Sequence, residues 1–403
     1  MYYNKMVSKL SLFSIIKKDS VSRSIQGLGY HSDYGDVFLK IYRSDNTSLN
    51  FEKLVYETID DYIDTLRPPP GFPGRCQEDD MFIKYRGHYE NVNSDFLYDI
   101  CYDYGPDGTI DVRETMLKRI NDDLEYKTES WVHLNDLEPS FNIIMTERIP
   151  TMLGAVTFKD FIEHITDDQD NIRGNGLQDV ILLICYAIYI LNNNMQIMHN
   201  DMHSENIYVY ENQAIQYEYD ILGYKVKSNY RIFIIDYDHA TVYLENPIPG
   251  ELIKYTNPLA DDYLCDMGLG CNQNITLKDN HLFLKVLVRV YQKYRNSGSR
   301  KFLQRSLRSM FSKIFPYSNM FDTFDRYDSV WSEYCQANGN CSHVKAIDEE
   351  YYYLTDMFGE IVDYHKRYTR LRIQTRYQRK YREIKHDYNN TISVRKDENG
   401  HSE

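Results

Sequence analysis

The period of the apolar residues changes several times along the chain. In "NFEKLVYETIDDYIDTLRPPPGFPG" the residues Phe51, Leu54, Val55, Ile59, Ile63 and Leu66 recur every three or four positions until a triple proline with two glycines stops the pattern. One amphipathic helix is predicted there. Upstream, "SIQGLGYHSDYGDVFLKIYR" reads as strands joined by tight glycine turns. Residues 71–138 are acidic, tyrosine-rich and poorly periodic, and read as an insertion with one helix around "RETMLKRINDDLEY". "SFNIIMTERIPTM" predicts a short buried strand breaking at Pro150. "TFKDFIEHI" then opens a helix with Thr157 as cap and Asp160 in its first turn. Residues 177–194 carry the apolar run "VILLICYAIYIL", about half the roughly 20 residues a membrane span requires, and are expected to form a buried core helix. Strands follow over 207–236 ("IYVY", "QYEYDILGYKVK", "YRIFIID"), and helices predominate from 279 onward. This order predicts an α+β fold, β-rich first and helical afterwards with an embedded sheet. The expected organisation is a first lobe over 1–149, a helical lobe over 150–360, and a basic helix and tail over 361–403.

Composition narrows the function classes. A chain of 403 residues, 42% hydrophobic and 26% charged, is long enough for two lobes with cores of their own. Its formal charge of −14 excludes wholesale wrapping of nucleic acid, which needs net positive surface. No N-terminal stretch has the basic start, apolar centre and small-residue cleavage site of a signal peptide. Seven scattered cysteines do not form a disulfide framework, so a reducing, cytoplasmic setting is expected. Cys265 with Cys271, and Cys335 with Cys341 and His343, could hold zinc, but their five-residue gaps exceed the usual knuckle spacing and metal-free loop cysteines are the better expectation. From Tyr364 to His386 nine Lys or Arg face a single acid, Glu383, with tyrosines one helical turn apart. Such a basic helix suits its own acidic body, an anionic membrane or a nucleic acid.

The chemistry concentrates in "IMHNDMHSENIYVY", residues 197–210, where an apolar helix gives way to a strand. A turn there needs no acid, no amide and no pair of histidines. His199, Asp201 and Asn206 resemble the His-x-Asp-x-x-x-x-Asn catalytic loop of protein-kinase-like phosphotransferases. In that chemistry a carboxylate orients the attacking hydroxyl, and an amide oxygen a few residues on faces a magnesium ion that bridges ATP phosphates. Thirty residues after Asn206 the strand "IFIID" ends in Asp236, where the family keeps its second magnesium ligand. The family motif there is Asp-Phe-Gly, and this chain reads Asp236-Tyr237-Asp238.

The resemblance implies a bilobal kinase-like fold, ATP and Mg²⁺ as cofactors, and phosphorylation of Ser/Thr hydroxyls on protein substrates. Asp201 would be the base or hydroxyl-orienting group and Asn206 and Asp236 the metal ligands, with Asp238 as a further one. His199 would hold the loop rather than transfer a proton. For the phosphate lysine, "VFLKIY" offers Lys40, with Glu52 in "NFEKLVYE" to hold it; Lys53, eighteen residues after Gly35, is the alternative. A helix that buries Leu54, Val55 and Ile59 favours Lys40, because Glu52 then lies near the buried stripe while Lys53 turns away. Gly27, Gly29 and Gly35 are the glycines available to cover phosphates, although the family's Gly-x-Gly-x-x-Gly is absent. His203, where serine/threonine kinases usually carry lysine, is similar to aminoglycoside- and choline-kinase-like enzymes, and no Ala-Pro-Glu follows Asp236. The tyrosine-rich style looks most like the divergent kinase-like proteins of large DNA viruses, implying host cytoplasm or virion. A small-molecule hydroxyl kinase and a catalytically weak pseudokinase acting as a scaffold remain open as alternatives.

Overall fold

The computed structural model describes residues 9–15, 24–43, 48–67, 81–102, 140–149, 154–164, 167–245, 252–256 and 278–294, with scattered helical positions between 112 and 118, 303 and 310, and 361 and 366. The four cysteines Cys265, Cys271, Cys335 and Cys341, His343, and the basic stretch beyond Lys366 lie outside the described residues.

The first lobe is built on five antiparallel strands: β1 (Leu10–Ile15), β2 (Ile25–His31), β3 (Gly35–Arg43), β4 (Tyr85–Asn93) and β5 (Ser140–Glu147), in the order β1-β2-β3-β5-β4. Helix α1 (Ser48–Leu66) follows β3 and α2 (Ser94–Ile100) follows β4. Alternation along β3 divides its side chains between two cores. Val37, Leu39 and Ile41 join Leu12, Ile143, Phe96 and Leu97 on the α2 side. Tyr42, on the other face, joins Val55, Tyr56 and Ile59 of α1. Lys40 shares that second face, so the pleat alone aims its stem toward α1.

The stretch 71–138 is not one insertion, because β4 falls inside it and completes the sheet, with α2 packed against that sheet's core. Its weak period has a physical cause: β4 is an edge strand with two register shifts against β5 and few buried side chains, so neither face needs a regular apolar pattern. Asn93 caps α2 by accepting from the Phe96 amide at 2.9 Å.

The second lobe begins with β6 (Val156–Thr157) and α3 (Phe158–His164). Thr157 and Asp160 form a reciprocal cap: the threonine hydroxyl accepts from the Asp160 amide at 3.1 Å and donates to its carboxylate at 2.8 Å. The core helix α4 starts earlier than its apolar run, at Asp167, reaches Tyr189 and ends in a π turn, Ile190–Asn194. The segment Gly176–Asn194 passes for a membrane span by length and hydropathy, yet 83% of its apolar window is buried inside the protein. Short strands surround its end: β7 (Ile197–Met198), β8 (Ile207–Glu211), the hairpin β9 (Tyr217–Ile221) and β10 (Tyr224–Ser228), β11 (Tyr230–Ile234), β12 (Thr241–Glu245) and β13 (Leu252–Thr256). Helix α5 (Lys278–Tyr294) is the last long element described. The arrangement is α+β, a β-rich first lobe followed by a lobe built around α4, with Tyr56 of α1 meeting Tyr237 of the second lobe edge to face at 5.4 Å.

Candidate active site

Between the lobes lies a cleft of about 560 Å³, lined above by Leu28, Phe38 and Lys40 and below by His203, Asn206 and Asp236. Lys40 is buried, and its ammonium sits 2.7 Å from Glu52 Oε1, 2.7 Å from Asp236 Oδ1 and 3.3 Å from Asp238 Oδ1. One cation thus meets three carboxylates, from α1 and from the loop after β11. Burial works against the Lys40 charge, but Asp236, Asp238 and Glu52 outweigh it and raise the ammonium well above its ordinary value. Glu52 has no exposed surface; burial pushes its carboxyl up to about 8 against the pull of Lys40, with Asp238 and Asp236 adding to the rise. Lys53 points elsewhere, to His88 Nε2 at 2.8 Å and Glu90 Oε1 at 3.1 Å on β4.

The loop after α4 holds the second group of residues. Asn206 Nδ2 donates to the Asp201 carbonyl at 3.0 Å and to Asp201 Oδ2 at 3.2 Å, so its amide oxygen is the atom left for a cation. His203 Nε2 lies 3.5 Å from Asp201 Oδ2. Burial alone would raise the Asp201 carboxyl, but the hydrogen bond and charge of His203, with His199 and His239, carry it below the usual range. Asp201 is held as a carboxylate. His199 is fully buried, its Nε2 is 2.8 Å from the Ile235 carbonyl, and its Nδ1 accepts from the Asp201 amide at 3.3 Å. It ties the loop to the strand that delivers Asp236. Asp236 itself has φ +69°, a left-handed conformation uncommon outside glycine.

The glycines are not brought together as a phosphate-covering loop. Gly27 and Gly29 lie inside β2, where a Cβ on Gly27 would come 2.8 Å from the Ser14 carbonyl and one on Gly29 would collide with that of Ser11. They let β1 and β2 approach, which is a packing role. Gly35, φ +76°, closes the β2–β3 turn.

Two residues in these networks escape sequence reasoning. Asp279, buried at the start of α5, accepts from the His199 amide (2.7 Å), the Asn200 amide (2.8 Å) and Asn192 Nδ2 (2.7 Å), pinning the loop from behind. In sequence it reads as an ordinary acid in the first turn of a helix. Tyr42, one pleat beyond Lys40, has its hydroxyl 2.5 Å from Glu52 Oε2 and 2.9 Å from Asp238 Oδ1. It reads as a strand aromatic.

Glu52, Asp236 and Asp238 place one oxygen each within 4.8 Å of one another. Such an all-oxygen set has the donor chemistry of a hard divalent cation such as magnesium, here with the Lys40 ammonium bonded to all three carboxylates, and that ammonium has the charge to meet phosphate. No family model and no curated protein matches the chain. Among solved structures it is similar to that of the pseudokinase PEAK1 (Sugen kinase 269), at 11% identity and a TM-score of 0.31, over 71% of this chain and 52% of that one. The chain thus spans about half the length of that neighbour, and a likeness of this degree carries no functional argument.

Proposed function

We propose that the cleft binds ATP with Mg²⁺ and transfers the γ-phosphate to Ser/Thr hydroxyls of protein substrates in a reducing, cytoplasmic setting. The observation that carries this reading is the Lys40–Glu52 ion pair, joined at 2.7 Å to Asp236 of the other lobe and facing the loop where Asn206 holds Asp201. In the reaction Asp201, kept as a carboxylate, accepts a hydrogen bond from the acceptor hydroxyl and aims its oxygen. Lys40 holds phosphate oxygens, and Glu52, 2.7 Å from its ammonium, fixes Lys40 at the cleft. Asn206, Asp236 and Asp238 would hold magnesium, which when bound neutralises the triphosphate. Catalysis of this kind is mostly positioning and charge compensation, so one lost group costs orders of magnitude in rate with little effect on the fold.

The test is transfer of radiolabelled γ-phosphate to a basic protein. Asp201→Ala should abolish it, and equal activity of wild type and variant would sink the reading. A second reading, a nucleotide-binding or nucleotide-free scaffold, is favoured by the placement of Gly27 and Gly29 within β2. Thermal unfolding separates the readings: ATP at 100 times its dissociation constant should stabilise the fold by about 2.7 kcal/mol. Absence of any Mg-ATP shift favours the nucleotide-free scaffold; a shift without transfer to proteins or to hydroxylated small molecules favours a binding scaffold. Transfer to small molecules alone would assign His203, at the cleft wall, to a different acceptor class.

A further inference from the structure

Asp238 stands where the resembled family has glycine, so this chain carries at that position a side chain that must be partnered. One of its partners is Tyr42, whose hydroxyl donates to Asp238 Oδ1. Lys40 and Tyr42 lie two residues apart on one face of β3, and the Tyr42 ring is buried in the core beneath α1. Phenylalanine would fill that apolar space equally well, and a buried hydroxyl is costly unless bonded, so packing does not account for the phenol oxygen. Three elements meet on that oxygen: β3, which carries it, α1 through Glu52 at 2.5 Å, and the short turn Tyr237–His239 through Asp238 at 2.9 Å. Asp238 Oδ1 is also shared with Lys40, at 3.3 Å, so the turn is fastened to β3 at two points.

We propose that Tyr42 is a positioning residue, whose hydroxyl fastens the Asp236–Asp238 loop to Glu52 and β3 and thereby sets the oxygens that receive the metal. The proposal deepens the phosphotransfer reading and rests on it. Tyr42 does not itself line the cleft, so it acts through Asp238 and Glu52 rather than on nucleotide.

Tyr42→Phe keeps the ring and removes the oxygen. With ATP-dependent thermal stabilisation as readout, the Mg²⁺ concentration giving half the effect should rise roughly tenfold, as expected for losing one hydrogen bond to a charged group, while ATP affinity at saturating Mg²⁺ changes less than about twofold. In an Asp238→Ala background, Tyr42→Phe should shift the Mg²⁺ midpoint by clearly less than it does in the wild type, since only the bond to Glu52 remains to be lost. Amide exchange supplies a readout that needs no nucleotide. Protection of residues 237–240 should fall in Tyr42→Phe and in Asp238→Ala, and should persist in Asp238→Asn, whose amide oxygen still accepts from the phenol. An unchanged Mg²⁺ midpoint in a responsive protein, or unchanged exchange, overturns the proposal and leaves the nucleotide reading standing. A wild type silent to Mg-ATP removes the nucleotide reading and the proposal with it.

Discussion

Lys40 is outnumbered three to one by carboxylates, and Tyr42 shows what that imbalance demands. A phenol has a single proton to give, yet its oxygen lies within hydrogen-bonding distance of both Glu52 and Asp238. That one proton is shared between the two carboxyls, and burial, with Asp238 beside it, keeps the Glu52 carboxyl raised against the pull of Lys40. Away from the cleft, Asp60 on α1 gives a cleaner pH prediction. Burial lifts its carboxyl from 3.8 to about 6, opposed by a backbone hydrogen bond from Tyr85 and helped by Asp64. A carboxyl with a raised folded value favours folding below its unfolded value and loses that contribution as pH rises through the folded one. Asp60→Asn keeps an acceptor for Tyr85 without the charge. Its thermal midpoint should therefore gain on the wild type as pH rises from 3.8 to above about 6, and two parallel pH curves would contradict the assignment.

At the scale of elements, β1 and β2 touch so closely that side chains are excluded at Gly27 and Gly29. The neighbour of Gly29 is the Ser11 carbonyl, a backbone atom with no rotamer by which to yield. Gly29→Ala should lower unfolding stability by about 1–3 kcal/mol, measured by denaturant titration, through spreading of the two strands. Gly35→Ala has open space around its Cβ, so its cost comes only from φ +76° and should be smaller, about 1 kcal/mol. A strong loss of nucleotide affinity in Gly29→Ala at full stability would instead restore a phosphate-binding role.

Across the whole molecule, Asp279 joins the end of α4, the Asp201 loop and α5 through one carboxylate. Asp279→Ala strands three buried donors and should cost about 3 kcal/mol or more in unfolding free energy, with loss of phosphotransfer. Asp279→Asn, which retains one acceptor, should fall between it and the wild type; equal stability of all three proteins would show the network to be dispensable. The start of the basic stretch is likewise tied to its own body. His365 Nε2 lies 2.8 Å from Asp179 on α4, and its Nδ1 lies 3.0 Å from the Tyr224 hydroxyl on β10, with Lys366 over the Tyr224 ring at 5.3 Å. These contacts tie residues 365 and 366 to α4 and β10, where the charge in sequence suited the protein's own acidic body as well as a membrane or a nucleic acid.

Local order was legible wherever one face of an element is buried. The three-and-four recurrence from Phe51 to Leu66 marks α1, the apolar run marks α4, and the pattern His199, Asp201, Asn206 followed by Asp236 places four polar residues around one turn and one strand end. Helix rotation also predicts that Glu52 and Lys53 point apart, and they do. Contacts between segments distant in sequence leave no such trace. The edge strand β4 needs no apolar face and so has no period, and only its pairing with β5 makes it a strand. Glycine is compatible with a phosphate loop and with a crowded strand alike, and only the nearness of β1 shows that Gly27 and Gly29 have a packing reason of their own. Tyr42 meets Asp238 across 196 residues and Asp279 meets His199 across 80, separations at which spacing in the chain carries no information about distance in space.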